Sequence, residues 1–368
     1  MGVVHGDLMT LNIGPQHPST HGVLRLKVKT DGEIISEVEP YIGYLHRCFE
    51  KHCENVTYDQ VIPYTDRCDY IASMNNNFGY AVAVEELMKI KVPERVEYIR
   101  VIVAELNRIA SHLLFIATMG LDAGAMTPSM FCFRGRERIQ GLFESVSGAR
   151  MMHNYFRIGG LKEDVPENFV AEVREVLDLV KKDTEESDKL LSFNEIFLAR
   201  LKNIAVMTAE DAIDYGLTGP CLRASGVDYD LRKAVPYSVY DRFDFDIPIG
   251  LDGDCWDRYY LRVQEIYQSV RIIEQALDQL PDGEVVSSLG RRLIRPPAGE
   301  VYVRGENPRG EIGVYLVSDG TDRPYRVKMR PPSFCNLSSL KHMLKDAWIA
   351  DSVVILGALD IVLGEVDR

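Results

Sequence analysis

The longest periodic stretch in the chain is residues 94–119, where Val96, Ile99, Val103, Leu106, Ile109, Leu113 and Ile116 recur at spacings of three and four. That is the period of one helix face. Pro93 before the stretch and Gly120 after it sit where helix boundaries favour them. A helix this long with a dense apolar stripe has to be covered by other helices, so it commits the middle of the chain to a bundle. Glu105, Arg108 and His112 interrupt the same stretch, and Asp360 interrupts the apolar run at 352–363. With those interruptions neither run supplies the 18 or so uncharged apolar residues of a membrane span, and the chain is not expected to cross a membrane.

Strand signals flank the expected bundle. Residues 22–29 alternate, with Leu24, Leu26 and Val28 on one face and Arg25, Lys27 and Lys29 on the other. Asp31-Gly32 and a second apolar run, EIISEVEPYIG, complete a hairpin pattern. Further helices are expected from Pro166, with Val170, Val173, Val176, Leu177 and Val180 on one stripe, and over about 255–280, ending at Pro281-Asp282-Gly283. From 298 the segment GEVYVRGENPRGEIGVYLVSDG returns to two alternating runs joined by a Gly/Pro/Asn turn. The expected class is α+β: an N-terminal β-hairpin region over 1–49, a central α-helical bundle over 50–285 and a β-rich C-terminal part over 286–368.

Composition narrows the function classes. With 46% hydrophobic and 26% charged residues the chain is globular, and a net charge of −13 argues against nucleic acid as a partner. The first residues, MGVVHGDLMTLNIG, lack the basic and apolar regions of a targeting signal. Seven cysteines without a C-x-x-C pair fit reduced, buried thiols better than a disulfide framework or a cluster site. Neither a G-x-G-x-x-G nor a Walker loop is present to cradle a nucleotide.

Chemistry concentrates first in residues 14–22, GPQHPSTHG, which hold His17 and His21, two of only eight histidines. Four residues apart on a helix they would face one metal, but Pro15 and Pro18 forbid that helix. A rigid polar loop remains, open to metal binding, proton chemistry or plain turn packing. His46 and His52 with Cys48 and Cys53 look like a soft-metal cluster, yet in an expected helical stretch they face different ways and are read as chance.

Seven segments, taken in order, carry a resemblance: GPQHPSTHGVLRL, GYLHRCFEKHCEN, DRCDYIASM, ELNRIASHLLFIATMGLDAGAMTP, MMHNYFRIGG, LTGPCLRASG and ILGALDIVLGEVDR. Almost end to end, the chain resembles the 49-kDa-type subunit family of proton-pumping NADH-quinone oxidoreductase, respiratory complex I. That family is related to the large subunits of [NiFe] hydrogenases. The resemblance implies a hydrogenase-large-subunit-like fold and a peripheral-arm subunit, not active alone, on the cytoplasmic side of the cell inner membrane. It implies a quinone-reduction cavity formed with a B-type cluster-bearing subunit, and C-type, I-type ferredoxin-like and H-type membrane subunits as further partners. No cofactor is expected in this chain; the [4Fe-4S] cluster belongs to the adjacent subunit, and the quinone is substrate.

The resemblance also assigns residues. His21 matches the histidine that hydrogen-bonds the quinone headgroup, Tyr70 the tyrosine that contacts it from the other side, and Asp122 the acid paired with that histidine. Arg67 matches an arginine close to the adjacent subunit's cluster. His17 is read as holding the loop. These residue types suit the reaction: a quinone takes two electrons and two protons, and a phenol and an imidazole are positioned proton donors, the imidazole oriented by a carboxylate.

Two rivals follow from the same relationship. A hydrogenase large subunit needs two C-x-x-C pairs, since soft thiolates hold nickel and iron. Here those positions fall on Asp69, Ala72, Val362 and Glu365, with Cys68 out of register by one; a four-thiolate site cannot be built. The other rival is a subunit of a related ferredoxin-linked membrane-bound oxidoreductase. Two departures from the family stand out. Met152 occupies a position where many members carry a histidine beside the cluster, which points to a menaquinone-type substrate. The segment around 283–298 is shorter than in many relatives.

Overall fold

The structure is a computed structural model and describes residues 8–16, 20–287 and 294–368. His17 and the middle of the 283–298 segment lie outside the described residues.

Three N-terminal strands, β1 (Met9–Ile13), β2 (Arg25–Asp31) and β3 (Ile34–Tyr41), form an antiparallel sheet in that order. The alternation of β2 works as its sequence demands: Leu26, Val28 and Thr30 are buried, while Arg25, Lys27 and Lys29 reach solvent. Sequence periodicity captured β2 and β3 but not β1, whose MTLNI pairs Met9 with Thr30 and shows solvent on most of its length.

Helices follow: α1 (Phe49–Cys53), α2 (Tyr58–Thr65), α3 (Ser73–Met88), α4 (Glu94–Asp122), α5 (Thr127–Ser147) and, past a two-residue ladder β4 (Phe156–Arg157) and β5 (Gly160–Leu161), α6 (Phe169–Leu191). Short helices α7 (Glu195–Leu201), α8 (Ala209–Asp214), α9 (Pro220–Ala224) and α10 (Leu231–Ala234) lead to the long α11 (Cys255–Asp278). The second sheet is antiparallel, β6 (Gly299–Asn307), β7 (Gly310–Ser318) and β8 (Arg326–Arg330), and lies against α3. The chain then returns to helix in α12 (Pro332–Leu337), α13 (Leu340–Leu344), α14 (Ser352–Leu359) and α15 (Leu363–Asp367). The class is α+β, with a helical core between two small sheets.

Helix α4 is the axis. It packs on α5, α11 and α14, and α5 in turn packs on α6. Val96, Ile99, Val103, Leu106, Ile109 and Leu113 are completely buried, each contributing roughly 1.5–3 kcal/mol of transfer free energy. Among the described helices α4 alone is long and apolar enough to cross a membrane, but 89% of its most apolar window is covered by protein, which marks it as a core helix. The main apolar core runs from Leu24 to Val366, and a smaller one joins α1–α3 to the second sheet.

Candidate functional site

His21 sits in a loop shaped by backbone conformation. Gly14 has φ 79°, His21 itself φ 51° and Gly22 φ 140°, and the buried Thr20 hydroxyl donates to the carbonyls of Gln16 and Gly22. A side chain on Gly22 would meet Leu363 at 2.9 Å, so this glycine lets the loop settle on α15. The loop delivers the His21 ring to the last residue of α4: His21 Nε2 lies 3.0 Å from Asp122 Oδ2, with both side chains largely buried. Gly357 of α14 floors the pair, since a Cβ there would lie 3.0 Å from Asp122 Oδ2 and 3.2 Å from His21 Nε2.

Tyr70 belongs to the turn between α2 and α3. Asp69 builds that turn: its Oδ1 accepts the N–H groups of Ile71 and Ala72 at 3.1 and 3.2 Å, and its Oδ2 accepts from Arg309 at 2.7 Å. Arg309 is buried and also donates to Asp360 at 3.2 Å. The Tyr70 ring rests on the backbone of α15; a Cβ on Gly364 would be 3.1 Å from two ring carbons and 2.6 Å from the Cys68 carbonyl. Burial, and then the charge of Asp69, raise the pKa of the Tyr70 hydroxyl, so the phenol holds its proton at neutral pH.

His21 and Asp122 thus meet Gly357, and the Tyr70 ring meets Gly364, seven residues further along the chain. A cavity of about 1030 Å³, lined by Lys91, Glu94, Glu97, Arg242 and Glu284, opens at the other end of α4. At 1.5 Å per residue that is roughly 40 Å from Asp122.

A second cluster lies around Asp66. Its buried carboxylate accepts the Asn154 N–H at 3.1 Å, which ties the 152–154 loop to the turn bearing Arg67. Arg67 is exposed, donates to the Pro63 carbonyl at 2.6 Å and has its own carbonyl held by Arg47 at 2.7 Å. Met152 is half-buried with φ 56°. His153 points inward: its Nδ1 is 2.7 Å from the Ser73 hydroxyl, its Nε2 3.2 Å from the Arg150 carbonyl, and Phe143 meets its ring edge-on. Burial drives its pKa down to about 4, so this imidazole is neutral.

The cysteine and histidine group at 46–53 scatters. His46 precedes α1 and binds the Asp367 carbonyl at 2.7 Å, His52 stacks on Tyr64, and Cys53 is buried.

Sequence reasoning missed the buried ionic network. Glu105, Arg108 and His112, taken only as interruptions of a membrane span, are all fully buried. Glu105 pairs with Arg108 and Arg232; His112 pairs with Glu265 at 2.8 Å; Arg223 joins Glu265 to Glu306. The available signal was three ionisable residues inside an apolar helix period, which burial permits only with partners.

Known proteins resemble this chain in sequence. A family model described as "Respiratory-chain NADH dehydrogenase, 49 Kd subunit" matches residues 122–292 and 288–368. The chain is 54% identical over 368 residues to the D-type subunit of NADH-quinone oxidoreductase from Chlorobaculum tepidum, covering 98% of this chain and 92% of that protein. It is 52% identical over 386 residues to the D-type subunit from Geotalea uraniireducens, covering 98% and 99% of the two chains. Against the D-type subunit from Bacillus mycoides it is 52% identical over 366 residues, covering 99% and 100%. Near full-length identity above half, on a fold with the expected helical core between two sheets, makes this chain a member of the 49-kDa subunit family of the respiratory-chain NADH dehydrogenase.

Proposed function

We propose that this chain forms the quinone-reduction cavity of a proton-pumping NADH-quinone oxidoreductase together with a B-type cluster-bearing subunit, and that it protonates the quinone headgroup. The observation that supports this reading is the His21–Asp122 pair at 3.0 Å against Gly357, with the Tyr70 ring against Gly364 seven residues further on. In it, Tyr70 donates a phenolic proton to one quinone oxygen and His21 serves the other, with Asp122 holding the imidazole in orientation. Electrons come from the adjacent subunit's [4Fe-4S] cluster, beside Arg67 and Met152. An exposed apolar stripe of Leu121, Met126, Met130 and Phe133 starts at the residue before Asp122. Such a stripe beside a site of this kind suits cover by neighbouring subunits. C-type, I-type ferredoxin-like and H-type membrane subunits complete the set, on the cytoplasmic side of the inner membrane.

The test is Tyr70→Phe in the assembled complex. The change removes one donor and little volume, so assembly survives, and quinone reduction falls on the order of 100-fold. Reduction of an artificial acceptor at upstream clusters stays normal. Equal loss of both activities would mean misassembly, and an unchanged quinone rate would remove Tyr70 from the chemistry.

A further inference from the structure

Glu365 of α15 is completely buried, yet only one of its oxygens is engaged. Its Oε1 accepts the Ser333 N–H at 3.0 Å, while Oε2 has no hydrogen-bond partner among the described residues. A buried carboxylate in that position is costly unless it is protonated or paired. The groups facing it come from three elements: Asp69 and Cys68 from the α2–α3 turn, Arg309 from the β6–β7 turn, and Ser333 and Cys335 from α12. Arg309 is already committed to Asp69 at 2.7 Å and Asp360 at 3.2 Å, and Asp360 also faces Arg262 at 3.6 Å. Three carboxylates thus share two guanidinium groups, and the arrangement is neutral only with one extra proton. The residue before Glu365 is Gly364, whose backbone supports the Tyr70 ring.

We propose that Glu365 is the proton store that resupplies Tyr70 after each donation to the substrate. The proposal rests on the reading of Tyr70 as the quinone's proton donor. In the step, the Tyr70 O–H bond breaks as its proton passes to a substrate oxygen reduced by the adjacent subunit's one-electron donor, leaving a phenolate. The Glu365 O–H bond then breaks, its proton re-forms the phenol directly or through one water, and the new carboxylate faces Arg309. A proton from solvent later refills the carboxyl. Burial, then the charge of Asp69, push the Glu365 pKa up to about 8, so the store is filled at neutral pH and remains more acidic than the phenol it serves. Glu365 acts through Tyr70 and is a positioning and supply residue, not one that touches the substrate.

Two measurements on the complete complex test this. The unaltered complex should lose rate as pH rises through about 8, and Glu365→Gln should slow quinone reduction at pH 7 on the order of 100-fold, leave artificial-acceptor reduction unchanged and erase that decline. Infrared titration of the unaltered complex should show a protonated-carboxyl C=O band lost with a midpoint near 8 and missing from E365Q. E365Q with an unchanged rate and pH profile would overturn the supply role, and a complex without that band would overturn the store. The infrared titration needs no substrate, and if E365Q fails to assemble, E365D, which keeps a carboxyl at the position, should shift the band and its midpoint; a band unmoved by that change would overturn the store. If Tyr70→Phe kept full activity while the band was present, the error would lie in the role given to Tyr70 and not in the protonation of Glu365.

Discussion

Gly357 is where one missing methyl group decides the geometry of the site. On helix α14 an alanine would be favoured by about 1 kcal/mol of helix propensity. Its Cβ, however, would come within 3.0 Å of Asp122 Oδ2 and 3.2 Å of His21 Nε2, both ends of side chains able to move aside. Gly357→Ala should therefore leave thermal stability within about 1 kcal/mol while shifting the pair by a few tenths of an ångström, lowering quinone reduction by roughly tenfold or more. Comparing the melting temperature of the complex with its quinone reductase rate checks this. Loss of stability in step with activity would show that the glycine serves packing alone.

At the scale of elements, the 150–154 loop shows how local bonding sets what its surface offers. Asp66 grips Asn154, Ser73 and the Arg150 carbonyl hold His153 inward, and Met152 is left as the half-buried side chain of the turn. A thioether takes up no proton, and His153, with its pKa near 4, stays neutral at working pH. We propose that a charge-assisted contact of roughly 1.5–3 kcal/mol to the adjacent subunit's cluster is missing here, which would lower that cluster's potential by roughly 60–130 mV relative to one with a histidine beside it. On that proposal the substrate is a menaquinone-type quinone. Redox titration of the cluster at two pH values should find a low midpoint that barely moves; a high midpoint falling by a full proton's worth per pH unit would contradict it.

Elements differed in how far the sequence disclosed them. Helix α4 was legible to within a few residues because its period is long and Pro93 and Gly120 mark its ends. Strand β1 was not, because an edge strand exposed on most of its length has no alternation to read. The helices after β8 escaped for a different reason: in α14 SVVILGAL is apolar all round, and a short run of that kind reads equally as strand or buried helix. Of the site, the turn chemistry of GPQHPSTHG was visible, but its partner was not. Residues 21, 70 and 122 are grouped by resemblance, and tertiary packing brings 21 and 122 into contact; no local pattern links a loop, a turn and a helix end so far apart in sequence.

Across the whole molecule, the core is an ionic structure as much as an apolar one. Seven arginines rank among the largest fully buried side chains, and three of them, Arg108, Arg223 and Arg232, tie α4, α9, α10, α11 and the second sheet together through Glu105, Asp230, Glu265 and Glu306. Burial and the neighbouring charge of Asp230 raise Glu306 to about 7, while Glu265 is held well below the usual carboxylate range by Arg223 despite its burial. Burial thus raises the pKa of Glu306 here, and of Glu365 and Asp66 elsewhere, to about neutral pH or above. The network explains why one long apolar helix carries charge without crossing a membrane. The proposed chemistry sits at the C-terminal end of that helix, with His21 and Asp122 against Gly357 and Tyr70 against Gly364. The most direct test is the structure of the assembled complex with quinone bound. One headgroup oxygen should lie within about 3.2 Å of a His21 ring nitrogen and the other within the same reach of the Tyr70 hydroxyl. A headgroup bound beyond hydrogen-bond reach of both residues would contradict the proposed roles.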